Sequence, residues 1–331
     1  MRLLVIGGTR FLGRHLVAQA LQAGHRVTLL NRGRANPGLF PQADHCIADR
    51  NGDLSVLGDD ERWDAAIDNC AYLPRQVHAL AARLAGRVGQ YQMVSSISVY
   101  AAFRPGMAED AALATIDDPD TETVDGRTYG ALKALCEQAA EAGFPGRCLQ
   151  PRPALIVGPH DPTERFTWWV RRFARAEPGG EVLAPGRPDA PVQFIDVRDA
   201  AAWLLRQAEA GTTGAFNLTG PDPAGTMGGL IDALRTTLGP TVRPVWVDED
   251  FLRAAGVEPW SDLPVWLGRD EEASHRLDAS RARATGLRCR PWAETIADTA
   301  AWAATAAASP STPPGLAPAR EAELLARWRA P

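Results

Sequence analysis

The run Tyr129-Gly-Ala-Leu-Lys133 sets a phenol and an ammonium four residues apart. On a helix that spacing puts both on one face, a single turn apart. A free phenol has a pKa of about 10 and is a poor base at neutral pH. A nearby ammonium stabilises the phenolate and makes the tyrosine a workable acid/base. Lys133 is the only lysine in a chain with 35 Lys and Arg together. A surface accepts either cation, so one position held as Lys against that bias points to a place where guanidinium does not fit. The competing reading is a chance pairing on a solvated helix.

Upstream, Met93-Val-Ser-Ser-Ile-Ser-Val-Tyr100 reads as a strand running into a turn with three hydroxyls. A hydroxyl at the carboxyl end of a parallel strand faces the ligand crevice. Ser96 is placed to donate to a substrate oxygen as charge develops on it. On local chemistry alone, Ser95 and Ser98 remain alternatives.

A second constellation lies at the amino terminus. Gly7-Gly8-Thr9-Arg10-Phe11-Leu12-Gly13 sits between a strand-like run, Arg2 to Ile6, and a helix-like run, Phe11 to Ala23. There the free N–H groups and the helix dipole point at a dinucleotide pyrophosphate, and glycine lets backbone and phosphate approach. Gly7, Thr9, Arg10, Phe11, Leu12 and Gly13 are the expected cradle, with Arg10 where a middle glycine is usual. At the end of the next strand, Asn31-Arg32 replaces the acidic residue that grips an adenosine 2′-hydroxyl. Arg32, helped by Arg10, suits a 2′-phosphate instead and favours NADP(H) over NAD(H); the plain alternative is a surface arginine. Asp49, with Arg50, is expected at the adenine, although a turn-capping role also suits Asp49. Cys70 and Tyr72 are expected to line the nicotinamide pocket or simply to pack.

Alternating elements are expected to position these groups. Strands are expected at His25 to Leu30, Asp44 to Ala48, Trp63 to Ile67 and Tyr91 to Ser96, with a helix at Leu73 to Ala85. A loop over 101–125, a helix from Arg127 to Ala142 and a strand from Cys148 to Val157 follow. The pattern predicts an α/β chain: a Rossmann-type doubly wound parallel sheet with a smaller C-terminal substrate-binding lobe. The expected divisions are 1–158 for the dinucleotide-binding domain and 159–302 for the lobe mixed with the last elements of the sheet. Residues 303–331 are expected to form a linker and a terminal helix. Helices are expected at Phe166 to Ala176, Val197 to Ala210, Met227 to Leu238 and Arg320 to Arg329.

Together these pieces resemble the extended and atypical short-chain dehydrogenase/reductases, the NAD-dependent epimerase/dehydratase family, over nearly the whole chain. Phe194-Ile-Asp-Val-Arg-Asp199 and Gly214-Ala-Phe-Asn-Leu218 belong to the resemblance, as does Ser96 four residues before Tyr100. It implies Tyr129 as acid/base, Ser96 polarising the substrate oxygen, and Lys133 also holding the nicotinamide ribose. Sugar 4,6-dehydratases of the family carry Asp-Glu directly after the catalytic Ser/Thr. Here those positions are Ile97 and Ser98, which argues against that dehydration. The glycine turn looks more like the atypical subgroup containing chloroplast stem-loop RNA-binding proteins. That likeness leaves a cofactor-binding regulator or an RNA-associated protein as alternatives to the oxidoreductase or epimerase.

The expected substrate is a small molecule, a nucleotide sugar or a natural-product carbonyl. Ser98, His160, Arg165 and Trp168 are candidates to contact it; turn capping by His160 and core packing of Trp168 are the rival readings. A net charge of −5 argues against nucleic acid. No apolar run approaches the length of a membrane span. The short start reads as a strand and not a leader. Five scattered cysteines without a CxxC argue for reduced thiols in the cytoplasm and against a metal site. A monomer or homodimer is expected.

Overall fold

The computed structural model describes residues 1–221, 223–306 and 314–330. Among them the first strands are β1 (Arg2–Ile6), β2 (Arg26–Asn31), β3 (Asp44–Ile47), β4 (Trp63–Asp68), β5 (Val88–Met93) and β6 (Cys148–Pro153). Then come β7 (Leu155–Val157), β8 (Glu181–Pro185), β9 (Pro191–Val192), β10 (Phe194–Asp196), β11 (Gly214–Leu218), β12 (Gly225–Thr226) and β13 (Arg243–Val247). The helices are α1 (Phe11–Gln22), α2 (Pro74–Leu84), α3 (Tyr129–Gly143), α4 (Arg165–Ala174) and α5 (Val197–Ala210). The later ones are α6 (Met227–Leu238), α7 (Glu249–Ala254), α8 (Ser280–Ala284), α9 (Trp292–Thr305) and α10 (Pro318–Arg329).

Seven parallel strands form the central sheet in the order β11-β6-β5-β4-β1-β2-β3. This is the doubly wound arrangement, and the order reverses beside β1, where a crevice opens at the strands' carboxyl ends. Leu3, Leu4, Val5 and Ile6 of β1 are all buried, as a strand covered on both faces requires. In α1, Leu12, Leu16, Val17 and Ala20 turn one stripe toward the sheet, where α5 also packs. The helix stops at Ala23, and Gly24 takes a left-handed φ of 79° that ends it cleanly. On the opposite face α2 packs against α3, over Leu80, Leu84, Tyr91 and Phe144.

A separate core holds the smaller lobe. Phe166, Trp169 and Phe173 of α4 pack with Val182 and Leu183 of β8 and with Leu230 and Leu234 of α6. The β8–β13 pair, which is parallel, builds the lobe's own small sheet. From α10, Leu324 and Leu325 return to this core, while Trp328 stays 37% exposed against Phe251, 5.1 Å between ring centroids. The expected linker at 303–319 falls partly outside the described residues; within them, α9 continues to Thr305 and α10 starts at Pro318.

Three local differences from the expected elements have plain causes. Strand β5 begins at Val88, three residues before the expected Tyr91, because Val88 already pairs with Trp63. The expected strand from Cys148 to Val157 is two strands. After Pro153 the chain leaves the central sheet, and Leu155–Val157 pairs with β10 instead. The 101–125 segment is a loop apart from two isolated bridges, Tyr100 to Leu113, antiparallel, and Met107 to Leu277, parallel. Its anchor is buried Glu109: Oε1 accepts from the Asn217 N–H at 2.8 Å, and the backbone oxygen accepts from Arg152 at 2.8 Å.

Candidate active site

The crevice at the carboxyl ends of β1, β2, β4, β5 and β6 is a cavity of about 650 Å³. That is the size of a site for a sizeable small molecule. Its wall includes Gly7, Thr9, Arg10, Phe11, Leu12 and Gly13 from the first turn, and Asn31, Arg32, Asp49 and Arg50 from the next two strands. Cys70, Tyr72, Ser96, Tyr129 and Lys133 line it as well. The structure thus brings together all the residues expected to carry catalysis and dinucleotide binding.

The first turn is shaped by close approach. Gly7 has φ 81°, and a Cβ on Gly13 would fall 2.2 Å from the Gly7 carbonyl oxygen. Any side chain at 13 would therefore push the helix off the turn. Arg10 precedes α1 in an extended conformation, and no side chain caps the helix's first N–H groups. That end is left to bind an anion.

Four buried side-chain atoms on the cavity wall have no hydrogen-bond partner: Asn31 Nδ2, Arg50 Nε, Asn69 Oδ1 and Ser95 Oγ. Buried polar atoms are normally paired, so orphans gathered around one cavity fit a ligand that supplies the missing partners. Two of them, Asn31 Nδ2 and Arg50 Nε, are donors and one, Asn69 Oδ1, is an acceptor. That set suits the hydroxyls and phosphates of a dinucleotide. Asn69, Arg34 and Ala35 also line the wall. Sequence reasoning passed over Asn69, although its place directly after β4 is the signal that singled out Cys70.

At the catalytic end, α3 carries Tyr129 and Lys133 inward. Asp125 opens this helix by accepting from the Arg127 and Thr128 N–H groups at 2.8 and 3.1 Å. Ser96 stands near Tyr129, from the turn after β5, close enough to act on its phenol. Burial pushes the Tyr129 phenol up, and Ser96 offsets part of this. The Tyr72 ring lies 6.4 Å from the Tyr129 ring.

Lys133, only 3% exposed, donates to the carbonyls of Ala71 (2.8 Å) and Val94 (2.5 Å) and lies 3.6 Å from Met93 Sδ. Among the described residues its hydrogen bonds go to these groups and not to Tyr129. Burial lowers the pKa of its ammonium, while Cys136, Asp68 and Glu137 act to raise it. The structure thus places Lys133 in the same wall as the phenol, but bonded to the two turns beneath it.

The four residues expected at the substrate are not on this wall. Ser98 donates its N–H to Ser96 Oγ at 3.1 Å and supports that hydroxyl from behind. His160 stands between His15 and Trp302, at 5.8 and 5.4 Å, and burial beside Arg14 and His15 lowers its pKa to about 4. The Arg165 guanidinium stacks on Trp260 at 4.9 Å, and Trp168 packs edge-on against Trp169. Among the described residues, no cluster of His, Cys, Asp and Glu is arranged to hold a metal ion, and no helix is long and apolar enough to cross a membrane.

Comparison with known proteins agrees with this geometry. Residues 3–68 match the model of the NAD dependent epimerase/dehydratase family. No curated protein matches the chain. Among solved structures, a putative epimerase from Burkholderia cenocepacia superposes with a TM-score of 0.69 at 22% identity, covering 92% of this chain and 98% of its own. The UDP-glucuronic acid 4-epimerase from Bacillus cereus, solved with NAD, gives 0.66 at 15% identity, covering 91% and 98%. The UDP-glucose 4-epimerase from Thermotoga maritima, solved with UDP-glucose, gives 0.65 at 17% identity, covering 92% and 99%. Residues 3–68 are thus similar to the NAD dependent epimerase/dehydratase family model, and over nine-tenths of its length the chain shares the fold of solved epimerases.

Proposed function

We propose that the protein is an NAD(P)-dependent oxidoreductase or redox epimerase acting on a carbonyl or secondary alcohol of a small molecule. The observation that carries this is the convergence of Ser96, Tyr129 and Lys133 on the wall of one cavity that the phosphate turn also lines. When bound, a nicotinamide cofactor supplies or takes up a hydride. The chain's own residues handle the proton. With its phenol pushed up by burial, Tyr129 is protonated at neutral pH and donates to a carbonyl oxygen that gains charge. Ser96, on the same wall, donates to that oxygen as well and holds it in line. Lys133 supplies a compact positive charge beneath both. The neighbours solved with nucleotide sugars make that substrate class one candidate, and a natural-product ketone is the other. A panel of both classes with NADPH and NADH is the first test, and a panel giving no turnover with either cofactor would overturn the reading.

The adenosine end supports NADP(H). Asn31, on the cavity wall, accepts through Oδ1 from the Gly33 N–H at 2.7 Å, and its Nδ2 has no partner. Arg32 and Arg34 line the wall just after Asn31 and act on Asp49, a concentration of positive charge suited to a 2′-phosphate. Nicotinamide fluorescence titrations are expected to show NADPH binding at least about tenfold tighter than NADH, a difference of about 1.4 kcal/mol. Arg32→Ala should erase most of that difference, because a charge-assisted bond to phosphate is lost while the pyrophosphate cradle stays. Tighter binding of NADH by the unaltered protein would sink the preference.

A further inference from the structure

Beneath Lys133 lies an ion pair that the proposed chemistry does not use. Asp68, at the end of β4, is fully buried. Its two oxygens accept from Arg50 at 2.6 and 2.8 Å, from the Tyr91 hydroxyl at 2.8 Å, and from the Cys70 N–H at 3.1 Å. Arg50 also donates to the Gln76 carbonyl at 3.2 Å. The next peptide after Cys70 presents the Ala71 carbonyl that receives the Lys133 ammonium. The Asp68 carbonyl accepts the Val94 N–H at 3.0 Å, and Val94 presents the second carbonyl. Both acceptors of the lysine are therefore fixed to one residue, Asp68, by its side chain on one side and its backbone on the other.

A buried ion pair is costly to desolvate and is weak evidence for stability. Four hydrogen bonds on one carboxylate, next to the only lysine in the chain, call for another role. We propose that the Arg50–Asp68 pair is a positioning device for Lys133: Asp68 fixes the two carbonyls that hold the ammonium and supplies the counter-charge that keeps it protonated. This rests on reading Lys133 as part of the active site. Other groups also face the ammonium. Cys136, Glu137 and Tyr129 stand on its own helix, Cys70 and Tyr72 come from the turn after β4, and Arg50 and Tyr91 lie behind Asp68. Of these, Cys136, Asp68 and Glu137 favour its charge and Arg50 opposes it, Asp68 more strongly than Arg50. Burial would raise the Asp68 carboxyl, but Arg50, Cys70 and Tyr91 together hold it below its ordinary range, so it is charged at neutral pH.

Because Lys133 is the sole lysine, its titration is directly measurable. Competitive acetylation with trace acetic anhydride across a pH series, read by mass spectrometry of the peptide around 133, needs neither substrate nor cofactor. The α-amino group of Met1 serves as internal reference. Asp68→Asn keeps the shape and removes the charge. The expected result is a labelling midpoint at least half a pH unit lower, so that acetylation below the midpoint runs about threefold faster, since one unit is a factor of ten. A purely structural role gives the opposite sign. Loosening the turn admits water, which relieves the burial that depresses the lysine and moves the midpoint up. A midpoint that rises or stays put overturns the proposal.

If the uncompensated Arg50 prevents Asp68→Asn from folding, the double variant Arg50→Gln/Asp68→Asn carries the same test without an unpaired charge. Its midpoint is also expected to fall, by a smaller amount, because the stronger of two opposed influences has gone. Lys133 labelling can behave as stated while the substrate panel fails, or the reverse, so failure of the inference and failure of the functional reading are separable.

Discussion

Tyr129→Phe should reduce turnover by about 10²–10⁴-fold, the usual effect of removing a positioned acid/base. Fold and dinucleotide affinity should be nearly unchanged. The variant loses one oxygen, and the nearby Ser96 hydroxyl keeps its bond to Ser98 at 3.1 Å and so is not left stranded. The cradle at Gly7–Gly13 is shaped by the backbone of the first turn, which the substitution leaves as it is. The pH profile adds a second check. Burial raises the phenol above its ordinary value, so the proton donor is present below that raised value and is lost as pH climbs through it. Carbonyl reduction should therefore be flat through neutrality and decline only in the alkaline range. Single-turnover rates with whichever substrate the panel yields, beside a cofactor titration, measure both. A phenylalanine variant that keeps more than half the turnover would remove Tyr129 from the mechanism.

Gly130→Ala is the second large effect, and it comes from geometry that no titration touches. A Cβ at 130 would fall 2.1 Å from the Ser98 carbonyl oxygen and 3.1 Å from its carbon. Backbone stands on that side, so nothing flexible can yield. The first turn of α3 has to move away from the Ser96–Ser98 turn, and it takes Tyr129 with it. Misplacement by about 1 Å is enough to cost about 10²-fold in rate. Overpacking adds roughly 1–3 kcal/mol of destabilisation. The expected outcome is a fall in kcat of about two orders of magnitude and a lowered melting temperature, with dinucleotide affinity within a few-fold, since the phosphate turn is untouched. Turnover within twofold of the unaltered protein would show that the two turns are not held by this contact.

Where the chain's own local pattern specifies an element, the sequence was legible. Four consecutive buried residues in β1, the helical stripe of α1 and the glycine that must accept a 2.2 Å approach are all local. So is the placement of Tyr129 and Lys133 on one helix, although the ammonium bonds the Ala71 and Val94 carbonyls and not the phenol. The boundary of β5 was hidden because Gln90 and Gln92 look like surface residues. They are buried, and their amides donate to carbonyls of α5 at Gln207 and Leu204, 3.0 Å each, more than a hundred residues away. The Arg50–Asp68 pair was invisible for a similar reason: nothing in either neighbourhood states that the ends of β3 and β4 converge. The lobe strands β8 and β13 went unread, since each is short and each needs the other, 62 residues on, to become a sheet. The substrate candidates suffered most. His160, Arg165 and Trp168 were chosen for chemical type at the crevice edge, and tertiary packing gave them aromatic partners elsewhere.

The strand order has a consequence for how the molecule is made. The last strand of the central sheet, β11, pairs with β6 over five residues, yet it is separated from β6 by the β7–α5 excursion. Every residue expected to bind the dinucleotide or perform chemistry has left the ribosome before β11 exists. At about 5–20 residues per second, β6 waits several seconds for its neighbour. During that interval it is an open edge with unpaired backbone groups, the kind of edge on which chains pair with each other. Truncations that end between Pro153 and Gly214 should therefore aggregate although they contain the whole set from Gly7 to Lys133. Nascent chains should gain protease resistance only once Leu218 has cleared the exit tunnel.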